Sequence, residues 1–340
     1  GAVTIIFATV PLLLVAEQGR EWGWGSPLSI AMYVVGVAGI ISFITIEKKM
    51  GESALIPLAL FKNQTFARTQ ILGVIIGVGM FGGMIVLPLI IQIIYGVSPT
   101  MVGFMMLPMV FGMMTATITS GRITSKTGKY RIFFNTGTAT LTIGYLYMVA
   151  LLRADTPLWV LAIGMVLIGL GLGQLMQTTM VASQNAVEAK DIGVATSSAT
   201  FFRQMGGTFG VAIFMSILFS QVVDKIQAAF ETTEVKNGFA EALADPSVTS
   251  NPANAGILDV LKSGPSGADG ITNDSSFLIG ADERLTLPFR IGFVESSLTV
   301  FMLAASFIAV AFVISWFIKE IPLRQKSASQ EAAEAAAAGH

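Results

Sequence analysis

The sequence contains no cysteine and a single histidine, His340, at its last position. Disulfides and thiolate chemistry are therefore excluded, and one terminal histidine cannot assemble a metal cluster. Charged residues are also scarce, at 12% of 340 residues, whereas 53% of the residues are hydrophobic. The mean hydropathy of +0.73 lies outside the range of soluble globular domains. These absences predict no cofactor, no metal, no nucleic-acid partner and no catalytic centre.

The apolar residues are concentrated in long segments separated by short linkers. About 20 helical residues cross a hydrocarbon core of roughly 30 Å, and most of the segments approach or exceed that length. The sequence therefore predicts an all-α integral membrane protein with eight transmembrane helices. The eight segments are Gly1–Ala16, Leu28–Ile46, Thr69–Tyr95, Thr100–Ser120, Ile132–Leu152, Leu158–Val181, Ala195–Ser220 and Phe293–Ile318.

Lysine and arginine are distributed unevenly between the linkers. The short linkers on one side of the predicted membrane hold only Arg20 and Arg153, whereas those on the other side hold most of the positive residues. Because positive residues collect on the cytoplasmic side of a membrane, we expect both ends of the chain to be cytoplasmic. The protein is then a multi-pass protein of the cell (plasma or inner) membrane. The linkers on the predicted cytoplasmic side hold Lys48, Lys49, Lys62, Arg68, Arg122, Lys126, Lys129, Arg131, Lys190, Lys319, Arg324 and Lys326.

The spans and linkers together predict five regions. Residues 1–68 form two linker spans and a cytoplasmic interfacial segment, in which Leu55–Phe66 is predicted to be a short helix. Residues 69–220 form five spans, 221–292 an extracytoplasmic acidic loop, 293–318 the last span and 319–340 a cytoplasmic tail. Turn formers at 264–267 and 273–276 indicate a loose loop, although Val222–Leu243 is able to form amphipathic helices. A lid that gathers cations near the outer exit is the alternative.

Arg203 lies well inside the seventh apolar segment and is followed by Gln204. A charge at that depth costs a few kcal/mol, so its side chain should face the bundle interior or a wet cavity. It either contacts helix carbonyls near the inner gate or belongs to a polar network on the substrate path. Gln174 and Gln177 are three residues apart on one helix face, and they either join helices or line the same path.

Small and flexible residues surround these polar positions. Gly206, Gly207 and Gly210 follow Arg203, and we expect them to let two helices approach closely. Methionines crowd into the fourth segment, which favours a surface that repacks around varied apolar ligands, although methionine also fills cores. No acidic residue in the apolar part of any span can be the partner of Arg203, so a carboxylate partner would come from a loop or from outside this sequence.

The linker Gly121–Arg131 carries the most specific motif, Gly-Arg-Ile-Thr-Ser-Lys-Thr-Gly-Lys-Tyr-Arg. It resembles the cytoplasmic loop signature of major facilitator transporters, Gly–x–Leu–x–Asp–Arg–x–Gly–Arg, with Ser125 in place of the acid. A basic loop that only sets topology is the alternative. The resemblance implies a cytoplasmic gate formed by Gly121, Arg122, Lys126, Gly128, Lys129 and Arg131.

Three further segments are similar to the fourteen-helix drug–proton antiporters of that superfamily: Gln18–Pro27, Pro57–Phe66 and Phe202–Gly210. The resemblance implies two linker helices followed by the C-terminal six-helix half, with a missing N-terminal half that carries the proton-coupling acid. It also implies proton-driven antiport of small amphipathic, often cationic compounds across the lipid bilayer, and hence antibiotic resistance. The alternatives are a same-fold exporter of a dedicated lipid, siderophore or metabolite, a channel, or a half with no activity alone.

Overall fold

A computed structural model describes residues 1–51, 54–262, 278–318 and 320–321, with side chains at all of these except 20 and 260–262. Lys319, Arg324, Lys326, His340 and the turn formers at 264–267 and 273–276 lie outside the described residues. The described helices are α1 Ala2–Trp22, α2 Pro27–Met50, α3 Gln64–Tyr95, α4 Pro99–Met105, α5 Leu107–Thr127, α6 Arg131–Leu151, α7 Leu158–Asn185, α8 Ile192–Glu231, α9 Thr233–Ala244, α10 Pro246–Thr249, α11 Ala255–Lys262 and α12 Glu283–Ser315.

Seven segments of the described chain are long and apolar enough to cross a membrane, one fewer than the sequence predicts. The segment that falls short is α6, whose 21 residues reach about 32 Å but include several threonines. The hydroxyls of Thr138 and Thr142 donate hydrogen bonds to backbone carbonyls one turn earlier. These two hydroxyls are thus satisfied within the helix. The seven segments are Ala2–Gly19, Pro27–Met50, Gln64–Tyr95, Pro99–Thr127, Leu158–Asn185, Ala189–Glu231 and Glu283–Ser315.

Six long helices, α3, α5, α6, α7, α8 and α12, pack into one bundle. Helix α3 lies near its centre, since it contacts α7, α8 and α12, and most of its length is buried. Helices α1 and α2 form a hairpin that touches the bundle through α1 and α8. Most apolar side chains of this hairpin are exposed, as expected for helices that face lipid.

One end of the bundle, which we call the basic end, is where α2, α5 and α7 finish and α3, α6 and α8 begin. The short helix predicted at Leu55–Phe66 is present only in part. The chain instead makes a 3-10 turn at Leu58–Lys62, and Asn63 caps α3 by accepting hydrogen bonds from the amides of Thr65 and Phe66 at 2.9 and 3.3 Å. A side-chain oxygen at this position satisfies amides that have no partner in the first helical turn, so a new helix starts there.

The opposite end carries a helical cap, which we define as residues 221–262 and 278–292. The 40-residue helix α8 is about 60 Å long and continues to Glu231, and α9 packs onto it and onto α12. Helix α10 contacts α9, and Val248 of α10 and Ile257 of α11 belong to the same buried cluster. The prediction of a loose loop is wrong for the described part, whereas the prediction of amphipathic helices within Val222–Leu243 agrees with the structure. The buried side chains at the centre of the cap include Val222, Ile226, Ala242, Val248, Ile257, Leu285 and Phe289.

Candidate functional site

Arg203 lies on α8, about 16 Å along the helix from Ile192, and only 8% of its surface is exposed. Close packing of α8 against α3 holds this stretch of backbone in place. A Cβ atom added at Gly206 would overlap the carbonyl of Val74, and one at Gly210 would lie 2.5 Å from the carbonyl of Val78. A Cβ at Gly207 would overlap the ring of Phe81.

A partly open cavity of about 400 Å³ lies beside Arg203, between α5, α7 and α8. Its wall is mainly apolar, and four of its side chains are flexible thioethers that adapt to ligands of different shapes. Polar groups are contributed by Arg203, Gln177 and Thr117. The lining residues are Met113, Met114, Thr117, Ile118, Met176, Gln177, Met180 and Arg203.

The guanidinium of Arg203 makes no hydrogen bond or ion pair with any residue that the structure describes. The side-chain amide of Gln177 is likewise without a hydrogen bond among the described residues. The third polar group is occupied, because the Thr117 hydroxyl donates to the carbonyl of Gly173 at 3.1 Å. Two groups with free hydrogen-bonding capacity therefore share the cavity.

The structure brings together only part of the predicted polar set. Arg203 and Gln177 line one cavity, but Gln174 is turned toward α6, where its Oε1 accepts a hydrogen bond from Thr136 at 2.6 Å. Its Nε2 donates to the carbonyl of Leu170 at 3.1 Å. Gln204 is exposed and does not line the cavity.

The predicted gate motif lies at the basic end, in the last turn of α5 and the turn that follows. Gly128 ends α5 with φ of 73°, a left-handed conformation that favours glycine. Gly121 lies next to the cavity, since a Cβ atom there would be 3.7 Å from the Gln177 amide. Arg131 donates to the carbonyl of Trp316 at 2.6 Å. The side chains of Arg122, Lys126 and Lys129 are exposed.

The end of α12 is held at the same place by side chains from three other helices. Arg68 on α3 donates to the carbonyl of Phe317 at 2.7 Å, beside the contact made by Arg131. Tyr130 accepts a hydrogen bond from the amide of Ile321 at 3.1 Å, and Asn185 donates to the carbonyl of Ile321 at 2.8 Å. Positive side chains at a helix C-terminus interact favourably with its unpaired carbonyls.

Three hydrogen bonds between helices of the bundle were not predicted from the sequence. Buried Gln70 donates to the Ser183 hydroxyl at 2.8 Å, and Ser183 donates to the carbonyl of Ala195 at 3.1 Å, which joins α3, α7 and α8. The Tyr145 hydroxyl donates to the carbonyl of Gly79 at 2.7 Å. An amide six residues into an apolar helix was the available signal for Gln70.

A model of the Major Facilitator Superfamily matches residues 1–211. The chain belongs to the major facilitator superfamily. This major facilitator chain is accordingly a multi-pass membrane transporter with an all-α fold, as its apolar helices also indicate. Among solved structures, it aligns with a bacterial homologue of the human lysosomal transporter Spinster, over 92% of this chain and 66% of that one, at 14% identity and a TM-score of 0.49.

Curated relatives of this major facilitator chain are named for drug resistance or multidrug transport. A "Tetracycline resistance determinant" of Streptomyces rimosus is 33% identical over 332 residues, which cover 97% of this chain and 93% of the relative. The "Multidrug transporter protein MdtP" of Bacillus subtilis is 31% identical over 337 residues, 97% of this chain and 60% of the relative. "Multidrug resistance protein 3" of Bacillus subtilis is 28% identical over 72% of this chain and 48% of its own length. The chain thus spans 60% or less of these two Bacillus relatives.

Proposed function

We propose that this chain is the C-terminal portion of a proton-coupled multidrug efflux antiporter, which exports amphipathic, often cationic compounds by alternating access. The observation that carries the proposal is the methionine-lined cavity with two unpaired polar groups, Arg203 and Gln177. Its volume lies within the range of small-molecule sites, and its mainly apolar wall suits compounds that vary in shape. The names of the relatives from Streptomyces and Bacillus point to the same activity.

The cavity lies where a rearrangement of helices would change access to it. Helices α3 and α8 meet backbone to backbone at Gly206 and Gly210, and the ring of Phe81 packs against Gly207, so a shift of these helices would also move Arg203 on α8. The gate motif begins at Gly121, which lies next to the cavity beside Gln177. On this proposal, the turn at Gly128 and the Arg131 contact with Trp316 close the basic end while the cavity opens toward the other side.

Proton coupling requires a group that titrates near the substrate. Helices α3, α5, α6 and α7 contain no acidic residue, and the acids of α8 and α12 do not line the cavity. Of these, Glu295 pairs with Lys225 at 3.1 Å. We therefore assign the proton-carrying carboxylate to a further six-helix half that completes the transporter, and its protonation competes with substrate binding. The limited coverage of the Bacillus relatives supports such an additional half.

The positive-inside rule supports a cytoplasmic basic end and an extracytoplasmic helical cap. Exposed Lys126 and Lys129 lie at the basic end, together with Lys48 and Lys49 at the end of α2. Compounds would then enter the cavity from the cytoplasm or the inner leaflet and leave on the side of the cap.

The proposal is tested with the full-length protein in inverted membrane vesicles that hold a proton gradient. Addition of ethidium should partly collapse the gradient in the wild type and in Lys236→Gln, an exposed control on α9. At matched expression, Met176→Trp, which fills the cavity, should lose most of this response. The absence of collapse with every amphipathic compound tried would contradict proton-coupled multidrug export and favour a dedicated exporter of a lipid, siderophore or metabolite.

A further inference from the structure

We infer that the cavity selects amphipathic compounds that carry an anionic group, such as a carboxylate, an enolate or a sulfonate, and that Arg203 binds this group. The inference rests on the proposed export function in treating the cavity as the substrate path. It adds the chemistry of the compound, and it holds whether or not the same molecule also carries a positive charge elsewhere.

Arg203 is a buried charge that lacks a partner in the described part of the chain. Its side chain is more than nine-tenths buried, lines the cavity and has no partner among the described residues. Burial of most of the side chain reduces the hydration of its charge, and this loss is costly without a counter-charge. A guanidinium presents a planar fork of donors that matches the two oxygens of a carboxylate or sulfonate. An anion in the cavity would supply both the missing charge and the missing hydrogen bonds.

No acidic side chain of the described bundle serves as a counter-charge for Arg203. The nearest acids along the chain are Asp191 at the start of α8, about 18 Å from Arg203 along the helix axis, and Asp224, about 31 Å away in the other direction. Glu295 on α12 is paired with Lys225 at 3.1 Å. Among the acidic residues that the structure describes, Glu47 is buried, but it lies at the end of α2 and accepts a hydrogen bond from the amide of Ile56 at 2.8 Å. The counter-charge must therefore come from outside these helices.

The rest of the cavity wall is mainly apolar. Met113, Met176 and Met180 provide an apolar surface, and the free amide of Gln177 adds one further hydrogen-bonding group. A small hydrophilic anion would lose its hydration there without gaining apolar contacts. A compound with an apolar body and one anionic group would contact the methionines with its body and Arg203 with its charge.

The acidic residues of the helical cap attract cationic compounds less strongly than their number suggests. Arg284 contacts Asp282 at 3.2 Å and Asp245 at 3.6 Å, and Arg290 contacts Glu283 at 3.1 Å. These carboxylates hold the cap together, so much of their charge is locally neutralised. The charge that the cavity itself presents to a compound is positive.

Rhodamine B and its ethyl ester test the inference, since they share a cationic ring system and differ in whether the carboxylate is free. Binding is measured by fluorescence anisotropy with the full-length protein in nanodiscs, and export with the same protein in energised proteoliposomes. The wild type and Lys236→Gln should bind rhodamine B about tenfold more tightly than the ester. Arg203→Gln should abolish this preference while binding of the ester changes less than about twofold, and Arg203→Lys should retain part of it.

Two results would overturn the inference. Equal affinity of the wild type for the two dyes would show that the carboxylate is not recognised, and this comparison needs no variant. An equal loss of both dyes in Arg203→Gln, with normal folding, would show that Arg203 serves packing or pairs with a protein acid. A clear preference for rhodamine B without export of either dye would contradict the proposed function and still uphold the anion site.

Discussion

At the scale of single residues, the crossing of α3 and α8 depends on positions where only a hydrogen atom fits. Gly206 and Gly193 lie on the same helix, but a Cβ atom at Gly206 would overlap the carbonyl of Val74, whereas Gly193 has open space around it. We expect Gly206→Ala to destabilise the protein by about 1–3 kcal/mol, since the backbones must separate.

Thermal unfolding in detergent, followed by size-exclusion chromatography, measures this difference. Gly193→Ala is the matched control and should leave the midpoint unchanged or slightly higher, because alanine favours a helix. A midpoint for Gly206→Ala that equals that of Gly193→Ala would contradict the tight crossing.

The sequence predicts which residues are unusual better than it predicts what they contact. Arg203 and Gln177 were identified because polar side chains in apolar helices must face protein or water. Gln174 was grouped with Gln177 because i and i+3 positions share a helix face, yet the two amides point to different neighbours. Three residues on a helix differ by about 60° in direction, which is enough to place one amide against α6 and the other in the cavity.

At the scale of elements, α6 shows where hydropathy and structure diverge. Its threonines lower the mean hydropathy, but the hydroxyls of Thr138 and Thr142 donate to carbonyls of the same helix, so the helix can still lie in a membrane. Because the chain has no cysteine, single cysteines report its position. We expect Lys129→Cys and Asp155→Cys, at its two ends, to react with an impermeant maleimide from opposite sides of the membrane. Labelling of both from one side would contradict an α6 that spans.

The helical cap should loosen in acid. Hydrogen bonds from Ser247 hold the pKa of Asp245 below its ordinary value, and the hydrogen bonds from Arg284 do the same for the pKa of Asp282. These contacts therefore contribute fully above the unfolded pKa of about 3.9 and are lost as the pH falls through the lowered values. A fluorophore on Asn237→Cys, exposed on α9, should gain mobility below about pH 4.

Arg284→Gln provides the comparison for the cap. Its acid transition should be smaller, because the Arg284 contacts are the largest cause of the shift at Asp282 and a lesser one at Asp245. Identical acid transitions in the two proteins would contradict the assigned role of Arg284.

The positions of the apolar spans were largely predictable, but the ends of α8 and α12 were not. A search for apolar segments stops where polar residues begin, near Ser220 and Phe293. The helices continue in amphipathic form to Glu231 and from Glu283, and their apolar faces bury Val222, Leu285 and other residues of the cap. The turn formers within this region end short helices instead of marking an unstructured loop.

At the scale of the whole molecule, membership of the major facilitator superfamily was visible in three short segments and one loop motif. The motif also shows the limit of the resemblance. Ser125 replaces the acid of the family pattern, and its hydroxyl donates to the carbonyl of Gly121 at 2.9 Å, within its own helix. The loop is connected to the rest of the bundle through Arg131 and Trp316 instead. Packing of this kind depends on tertiary contacts between distant parts of the chain, which spacing along the sequence does not reveal.

The central claim is that transported compounds occupy the cavity between α5, α7 and α8. The most direct measurement is the protection of a single cysteine at Met176, in the cavity wall, from alkylation in the full-length protein. Lys190→Cys, exposed at the basic end, is the control. We expect saturating rhodamine B to slow alkylation of Met176→Cys several-fold and to leave Lys190→Cys unchanged. Equal rates at Met176→Cys with and without the compound, under conditions in which it is exported, would contradict the account.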